Sequence, residues 1–154
     1  MEGKLGEGKE ITPQQNLRLL IIEDDPLIAM LLRMTFKPDS SIEPEFLESG
    51  EHALERLREE KEKGSPFNMV ITDLGLTDGR EAGYVVAQAT KDEKLAARLI
   101  LLTGSAREVT RSHTPDALKE KGIDAVWGKP FSPKTAIDEI KRIKQEIQEQ
   151  DSQS

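Results

Sequence analysis

Three carboxylates, a threonine and a lysine each follow a short apolar run, where their side chains could act together. Acidic groups held close together repel one another, and a divalent cation with oxygen ligands, together with a lysine, would neutralise them. The residue types therefore predict a cation site with a lysine beside it, provided that the fold brings the ends of the runs together. The five residues are Glu23, Asp24, Asp73, Thr103 and Lys129.

Short apolar runs alternate with helical patterns along the chain. Continuous apolar runs of this length are typical of strands buried on both faces, and Pro44 in the second run indicates an edge strand. The predicted strands cover residues 17–22, 42–47, 68–72, 98–102 and 125–127. Helices are predicted over 26–36, with Asp25 as N-cap, and over 49–63, 80–90 and 115–121, with a last helix from Pro133 to about Ile147.

This order predicts an α/β fold of (βα)5 type, in which helices cover both faces of a parallel sheet. Such sheets bind ligands beyond the carboxyl ends of their strands, at the point where the strand order reverses. The five candidate residues follow strands 1, 3, 4 and 5, so all of them are expected at that edge.

Composition narrows the classes of function. The chain has 154 residues, a net charge of −7 and no cysteine, which excludes disulfides, thiolate metal sites and thiol catalysis and argues against a general nucleic-acid binder. Polar stretches at 1–16 and 148–154 are expected to be disordered tails around one domain at 17–147, and they carry −1 and −2 of the charge. No run is long and apolar enough for a membrane span, so a cytoplasmic protein is expected.

Four motifs together resemble the receiver domain of two-component response regulators, of the chemotaxis-receiver kind. They are LLIIEDD (19–25), VITDLGL (70–76), ILLTGSA (100–106) and WGKPF (127–131). Each motif alone is weak, but all four occur in order, each at the end of its own predicted strand. The resemblance covers about residues 17–147 and implies a flavodoxin-like sheet with strand order 2-1-3-4-5.

The resemblance also implies roles for single residues. Asp73 matches the aspartate that accepts a phosphoryl group, and Asp24 and Glu23 match the acidic pair that holds Mg²⁺, Glu23 through a metal-bound water. Gly75 matches the residue whose backbone carbonyl completes the metal site. Thr103 matches the hydroxyl that contacts the phosphoryl group, and Lys129 matches the family's lysine, which precedes a cis bond to Pro130.

The function implied is that of a phosphorylatable signalling module. It would take a phosphoryl group from a histidine kinase or a histidine phosphotransfer protein and signal through a conformational switch to a protein partner or a neighbouring domain. It would not be an enzyme, beyond assisting its own phosphorylation and dephosphorylation, and it would bind no nucleic acid or membrane. Homodimers are a further expectation, through the helix at 115–121, the strand at 125–127 and the last helix.

Departures from the family pattern leave alternatives open. Thr77 stands where the family has proline, and Val126 stands where it has the aromatic residue that couples to the threonine. Trp127 is no simple substitute, because neighbouring strand residues face opposite sides. The segment 104–113 is predicted to be a lengthened loop beside the site. The alternatives are a pseudo-receiver, which binds partners without phosphorylation, and a Mg²⁺-dependent phosphatase, disfavoured by Gly75 at the place of its second acid.

Overall fold

A five-stranded parallel sheet runs through the centre of the computed structural model, which describes residues 15–153 and their side chains as far as Gln150. The strand order β2-β1-β3-β4-β5 confirms the predicted flavodoxin-like topology. The strands are β1 (Leu17–Ile22), β2 (Ile42–Leu47), β3 (Met69–Asp73), β4 (Arg98–Thr103) and β5 (Ala125–Gly128).

Within residues 15–153, six helices cover the two faces of the sheet. They are α1 (Pro26–Phe36), α2 (Gly50–Glu62), α3 (Ala82–Asp92), α4 (Ala106–Ser112), α5 (Pro115–Glu120) and α6 (Pro133–Gln153). The caps explain where several of them begin. Asp25 accepts a hydrogen bond from the Leu27 amide, which confirms Asp25 as the N-cap of α1, and Thr114 caps α5 in the same way.

Alternation along the strands divides the core into two layers. Leu19 and Ile21 of β1 pack against α1 and α6, whereas Leu20 and Ile22 pack on the opposite face, among residues of α2 to α5. Successive side chains of a strand point to opposite faces, so a strand buried on both sides must be apolar throughout. All four of these side chains are fully buried, as expected from the continuous apolar run.

The edge position predicted for the second strand is confirmed. Among the strands that the structure describes, β2 pairs only with β1, with Pro44 opposite Leu19 in the parallel register. Proline lacks an amide hydrogen, and an edge strand needs only one row of hydrogen-bonding groups.

The prediction of a loop over 104–113 is wrong, because seven of its residues form α4. The segment GSAREVTRSH has no apolar periodicity, since Val109 alone is buried against the sheet, and the Ser105 hydroxyl does not cap the helix. A helix this short, with one anchoring side chain, leaves too little pattern to detect. The described part of the chain therefore contains six helices rather than the five predicted.

The last helix extends further than the predicted end near Ile147, because α6 continues through Gln153. Ser154, the end of the tail expected over 148–154, lies outside the described residues. Ile140, Ile143 and Ile147 form the buried stripe of this helix, and its polar last turns extend beyond the stripe. The tail expected over 1–16 lies outside the described residues, except for Gln15 and Asn16. Within residues 15–153, no helix is long and apolar enough to cross a membrane.

Candidate functional site

The parallel register brings the ends of four strands to one edge of the sheet. Ile22 of β1 pairs with Thr72 of β3, so Glu23 and Asp73 follow at neighbouring positions. On the other side, Thr103 of β4 pairs with Gly128 of β5, and the Lys129 amide donates to the Thr103 carbonyl at 3.1 Å. The five side chains singled out in the sequence therefore lie at the same end of the sheet.

Glu23, Asp24 and Asp73 form an acidic cluster. Each offers one carboxylate oxygen, and these three oxygens lie within 4.8 Å of one another. Glu23 is 3% exposed, and Asp24 and Asp73 are half-buried. Three carboxylates at this separation match the oxygen ligands that Mg²⁺ and Ca²⁺ prefer.

Lys129 lies between two of these acids. Its Nζ is 2.9 Å from Asp73 Oδ2 and 3.0 Å from Glu23 Oε1, and the bond from Lys129 to Pro130 is cis, as the resemblance implied. Burial alone would lower the pKa of Lys129, but its contacts with Asp73 and Glu23 outweigh that effect and raise the pKa. The ammonium therefore stays charged at the edge of the cluster.

Glu23 shows that one lysine does not neutralise the cluster. Burial raises the pKa of this carboxyl, the charge of Asp73 adds to the rise, and the Asp25 amide and Lys129 oppose it. Oε1 forms an ion pair with Lys129 but has no hydrogen bond in proper geometry, and it is fully buried. A buried carboxylate oxygen left in this state fits a site that takes a cation.

Two further predicted residues lie beside the cluster. Thr103 is 4% exposed at the end of β4, and its Oγ1 accepts a hydrogen bond from the Ser105 amide at 3.1 Å. Gly75 lies two residues beyond Asp73, in the exposed loop that precedes α3. Its role as a carbonyl ligand stays a prediction.

Two residues that fix the Asp73 loop were missed in the sequence. A Cβ on Gly83 would lie 2.3 Å from the Asp73 carbonyl oxygen, so only glycine lets α3 approach this closely. The Asp78 carboxylate accepts hydrogen bonds from the Gly50 and Glu51 amides at 3.1 and 2.9 Å, capping α2 from the loop. Glycine inside a helical pattern was a usable signal for Gly83, whereas nothing in the sequence links Asp78 to Gly50 and Glu51, which lie 28 and 27 positions away.

Neighbouring residues of β5 face opposite layers, as predicted. Val126 packs against the layer of α2 to α5, and Trp127 is buried against α1 and α6. The Trp127 indole Nε1 donates a hydrogen bond to the Glu139 carboxylate of α6. The aromatic side chain of β5 is therefore coupled to the last helix and not to the face on which Val126 lies.

Comparison with known proteins gives a match to one family model and to solved structures of the same fold. The family model for the response regulator receiver domain matches residues 19–141. A signal receiver domain of an HD domain-containing protein from Pseudomonas fluorescens is 16% identical, with 94% of this chain and 98% of that chain covered and a TM-score of 0.75. A CheY-like receiver domain protein from Methanospirillum hungatei is 20% identical, with coverage of 88% and 99% and a TM-score of 0.72.

The chemotaxis response regulator CheY4 of Vibrio cholerae has the same fold, with 19% identity, coverage of 84% and 99% and a TM-score of 0.63. No curated protein matches the chain. At these identities, the solved structures show the fold alone. The family rests on the match over residues 19–141.

Proposed function

The chain belongs to the family of response regulator receiver domains, and on that premise we propose that it accepts a phosphoryl group on Asp73 from a phosphohistidine donor, with Mg²⁺ as cofactor. Receiver domains are in general non-enzymatic signalling modules that work with histidine kinases or phosphotransfer proteins and with downstream partners. The proposal assigns this role to Asp73 and to the residues around it.

One observation carries the proposal. The Asp73 carboxylate is held by the Leu74 amide at 2.8 Å on Oδ1 and by Lys129 Nζ at 2.9 Å on Oδ2, within a cluster of three acids. The nucleophile is thus fixed in orientation at the edge of the sheet. It remains accessible, because its side chain is 13% exposed.

The chemistry suits a carboxylate in this setting. One Asp73 oxygen attacks the phosphorus while the bond from phosphorus to the histidine nitrogen breaks, and the histidine leaves with the electron pair. Phosphoryl transfer needs little covalent help from a protein and depends on positioning and on neutralising the charge of the phosphoryl oxygens. Lys129 supplies one positive charge, and Thr103 would supply a hydrogen-bond donor.

The donor set also fits the proposed cofactor. Asp24 and Asp73 would hold Mg²⁺ directly, Glu23 through a water, and Gly75 through its carbonyl. When bound, the ion supplies the positive charge that one lysine cannot provide against three acids and an incoming phosphate. The buried Oε1 of Glu23 supports this assignment, since its cationic neighbour, Lys129, is shared with Asp73 and makes no hydrogen bond in proper geometry to it.

A surface for the donor lies next to the site. Leu27, Met30, Leu31 and Met34 of α1 follow one another at the spacing of a helical stripe and are 59%, 47%, 41% and 63% exposed. In a chain with 33% charged residues, such a stripe is typical of a protein-binding face. Because α1 begins just after the acidic cluster, we assign the stripe as the surface that binds a helix of the phosphohistidine protein.

A cytoplasmic location of the chain is part of the same proposal.

The output follows from the phosphorylated state. Phosphorylation replaces the single negative charge of the Asp73 carboxylate by the two charges of an aspartyl phosphate, and an inward shift of Thr103 toward the phosphoryl oxygens would alter the packing around β4 and β5. With Val126 on the face used by the family's aromatic residue, the change would have to pass through other side chains of that layer. The proposed dimer through α5, β5 and α6 would use the same region.

The decisive experiment is phosphorylation by a small donor. We expect the intact chain with Mg²⁺ and acetyl phosphate to gain the mass of one phosphoryl group, and we expect Asp73→Asn or added EDTA to abolish the gain. The control is Asp25→Asn, which removes a nearby charge but preserves the N-cap of α1. No adduct under any donor would contradict the proposal and support a pseudo-receiver. Continued hydrolysis of unrelated phosphate esters would support a phosphatase.

A second experiment tests the stripe on α1. A double substitution, Met30→Glu with Met34→Glu, should slow transfer from a phosphorylated histidine phosphotransfer protein and leave acetyl phosphate labelling unchanged. A loss with both donors would mean that the substitutions damage the fold or the site itself. If the native chain and the double variant accept phosphate from the protein donor at equal rates, the stripe is not the surface that binds the donor.

A further inference from the structure

A polar cleft lies at the amino ends of β4 and β5, at the end of the sheet opposite the acidic cluster. It has a volume of about 480 Å³ and is enclosed by the end of α3, the segments that enter β3 to β5 and the last turns of α6. Of the described residues that line it, four are cationic, namely Lys91, Lys94, Arg98 and Lys119, and Asp124 alone carries a carboxylate. These residues give the described lining a charge of +3, in a chain whose net charge is −7.

Lys94 has an unusual backbone for its residue type. Three helices end in the same pattern of two hydrogen bonds, known as the Schellman motif, with one residue in the left-handed conformation. α2 uses Gly64, with φ of 82°, and α5 uses Gly122, with φ of 89°. α3 uses Lys94, with φ of 55°. In α3 the Lys94 amide donates to Lys91 and the Leu95 amide donates to Thr90, as in the other two motifs.

The left-handed conformation is unfavourable for a residue with a Cβ. Where two equivalent helix ends of the same chain have glycine, α3 has a lysine, and that lysine lines the cleft. A residue kept in a costly conformation points to a role for its side chain. The Lys94 side chain is the part of the cleft lining that glycine would remove.

Thr90 provides a second observation. It lines the cleft, is 3% exposed, and its buried hydroxyl has no hydrogen-bond partner within the described part of the chain. Buried hydroxyl groups are normally bonded, so this group is available to a bound molecule. Arg98 adds a planar guanidinium, the geometry that suits phosphate oxygens.

The floor of the cleft is apolar. Leu95, Leu99 and Ile147 line it and are at most 3% exposed. Asp124 lies beside this floor, with Oδ2 accepting a hydrogen bond from the Leu99 amide at 2.8 Å. A ligand would thus meet cations, an apolar surface and one carboxylate acceptor in the same cleft.

We propose that this cleft binds a nucleotide. Its phosphates would lie among Lys91, Lys94, Arg98 and Lys119, its heterocycle against the apolar floor, and an amino group of the base toward Asp124. The volume lies in the range of about 300–1,000 Å³ that is usual for small-molecule sites. The site is separate from the acidic cluster, because β4 runs from Arg98 at the cleft to Thr103 at the cluster, about 16 Å away.

The test is isothermal titration calorimetry on the intact chain with ADP, in EDTA to exclude any contribution from the cation site. We expect a dissociation constant below 1 mM, which corresponds to about −4 kcal/mol, no binding of adenosine, and binding of inorganic phosphate at least tenfold weaker than ADP. Absence of ADP binding up to several millimolar would overturn the proposal. Equal affinities for phosphate and ADP would overturn the assignment to nucleotides.

Substitution at Lys94 separates binding from folding. Lys94→Gly should raise the melting temperature by about 2 °C, because glycine relieves the left-handed residue, and should weaken ADP binding about tenfold. Lys94→Arg should retain binding. The control is Lys37→Gln, which removes an exposed charge at the end of α1, away from the cleft, and should leave binding unchanged. Unaltered ADP binding in Lys94→Gly would overturn the proposal, and so would an equal loss of ADP affinity in Lys94→Gly and Lys37→Gln.

Discussion

Two buried glutamates at opposite ends of the sheet show how the same residue type acquires different roles. Glu23, 3% exposed, lies at the carboxyl ends of the strands with two other acids and one lysine. Glu60, 6% exposed, lies near the amino ends and pairs with Arg18, Arg56 and Lys63 at 3.1, 2.6 and 3.3 Å. The first has too few cations around it, and the second has several.

Their pKa values differ accordingly. Burial raises the pKa of both carboxyls, and at Glu23 it prevails with the help of Asp73. At Glu60 the hydrogen bonds from Arg56 and Lys63 outweigh burial and lower the pKa to about 2. Burial alone therefore does not make a carboxylate functional. A deficit of positive charge around a buried acid is the feature that indicates a cation site.

The largest effect on stability is expected from Glu60→Gln. Loss of this carboxylate leaves the half-buried Arg18 without its ion pair, while Arg56 keeps its pair with Glu45 at 2.6 Å and the longer one with Glu59. We expect the free energy of unfolding measured in urea to fall by about 2–3 kcal/mol. The matched control is Glu59→Gln on the same helix, whose partner Arg56 is 3.6 Å away and whose side chain is 62% exposed. That pair should be worth less than about 1 kcal/mol. Equal effects of the two substitutions would contradict the claim that the buried ion pairs of Glu60 stabilise the fold more than the exposed pair of Glu59.

Acid should remove the stabilisation that the Glu60 carboxylate provides. The folded pKa of Glu60 lies below its ordinary value of 4.5, so the unfolded chain binds the proton more readily. The stabilisation is complete above about pH 4.5 and is lost as the pH falls toward 2, by on the order of 2 kcal/mol. The difference in unfolding free energy between the native chain and Glu60→Gln should therefore shrink from pH 5 to pH 2.5. A constant difference would show that Glu60 stabilises by packing.

Added Mg²⁺ should act at the other end of the sheet. An ion that binds only the folded chain, at ten times its dissociation constant, raises the free energy of unfolding by about 1.4 kcal/mol. We expect this gain in thermal melts of the native chain and of Asp25→Asn, and its loss in Asp24→Asn and Asp73→Asn. An equal gain in all four proteins would indicate general screening of charge.

The position of the acidic cluster could be predicted from the sequence, because the strand pattern and the positions of the acidic residues indicate the same end of the sheet. Apolar runs fix the strands, a parallel sheet collects their carboxyl ends, and Glu23, Asp24, Asp73 and Lys129 come together as a result. The Glu60 network was not predicted. It joins β1, α2 and the loop before β3, and long charged side chains on exposed patterns do not reveal which partners they reach.

Two other features escaped prediction for related reasons. α4 has one buried apolar residue, too few for a helical period. The left-handed Lys94 gives no local signal, because glycine is the residue that normally marks such a helix end. Where a backbone conformation and the residue type disagree, as at Lys94, sequence patterns predict the wrong local structure, and the disagreement itself becomes visible only with the coordinates.

The smallest and most discriminating effect is expected from Glu23→Gln, which should have the opposite sign to Glu60→Gln. An amide of the same shape removes a charge that burial and Asp73 both disfavour, while Asp73 remains as a partner of Lys129. Without Mg²⁺ at pH 7, we expect the free energy of unfolding in urea to be higher for Glu23→Gln than for the native chain, by no more than about 1 kcal/mol, the usual size of a single substitution. Asp25→Asn, which removes the next exposed charge and keeps the cap, should change stability by less than about 0.5 kcal/mol. A loss as large as that of Glu60→Gln would mean that Lys129 already neutralises Glu23, and the argument for a cation at this buried oxygen would fail.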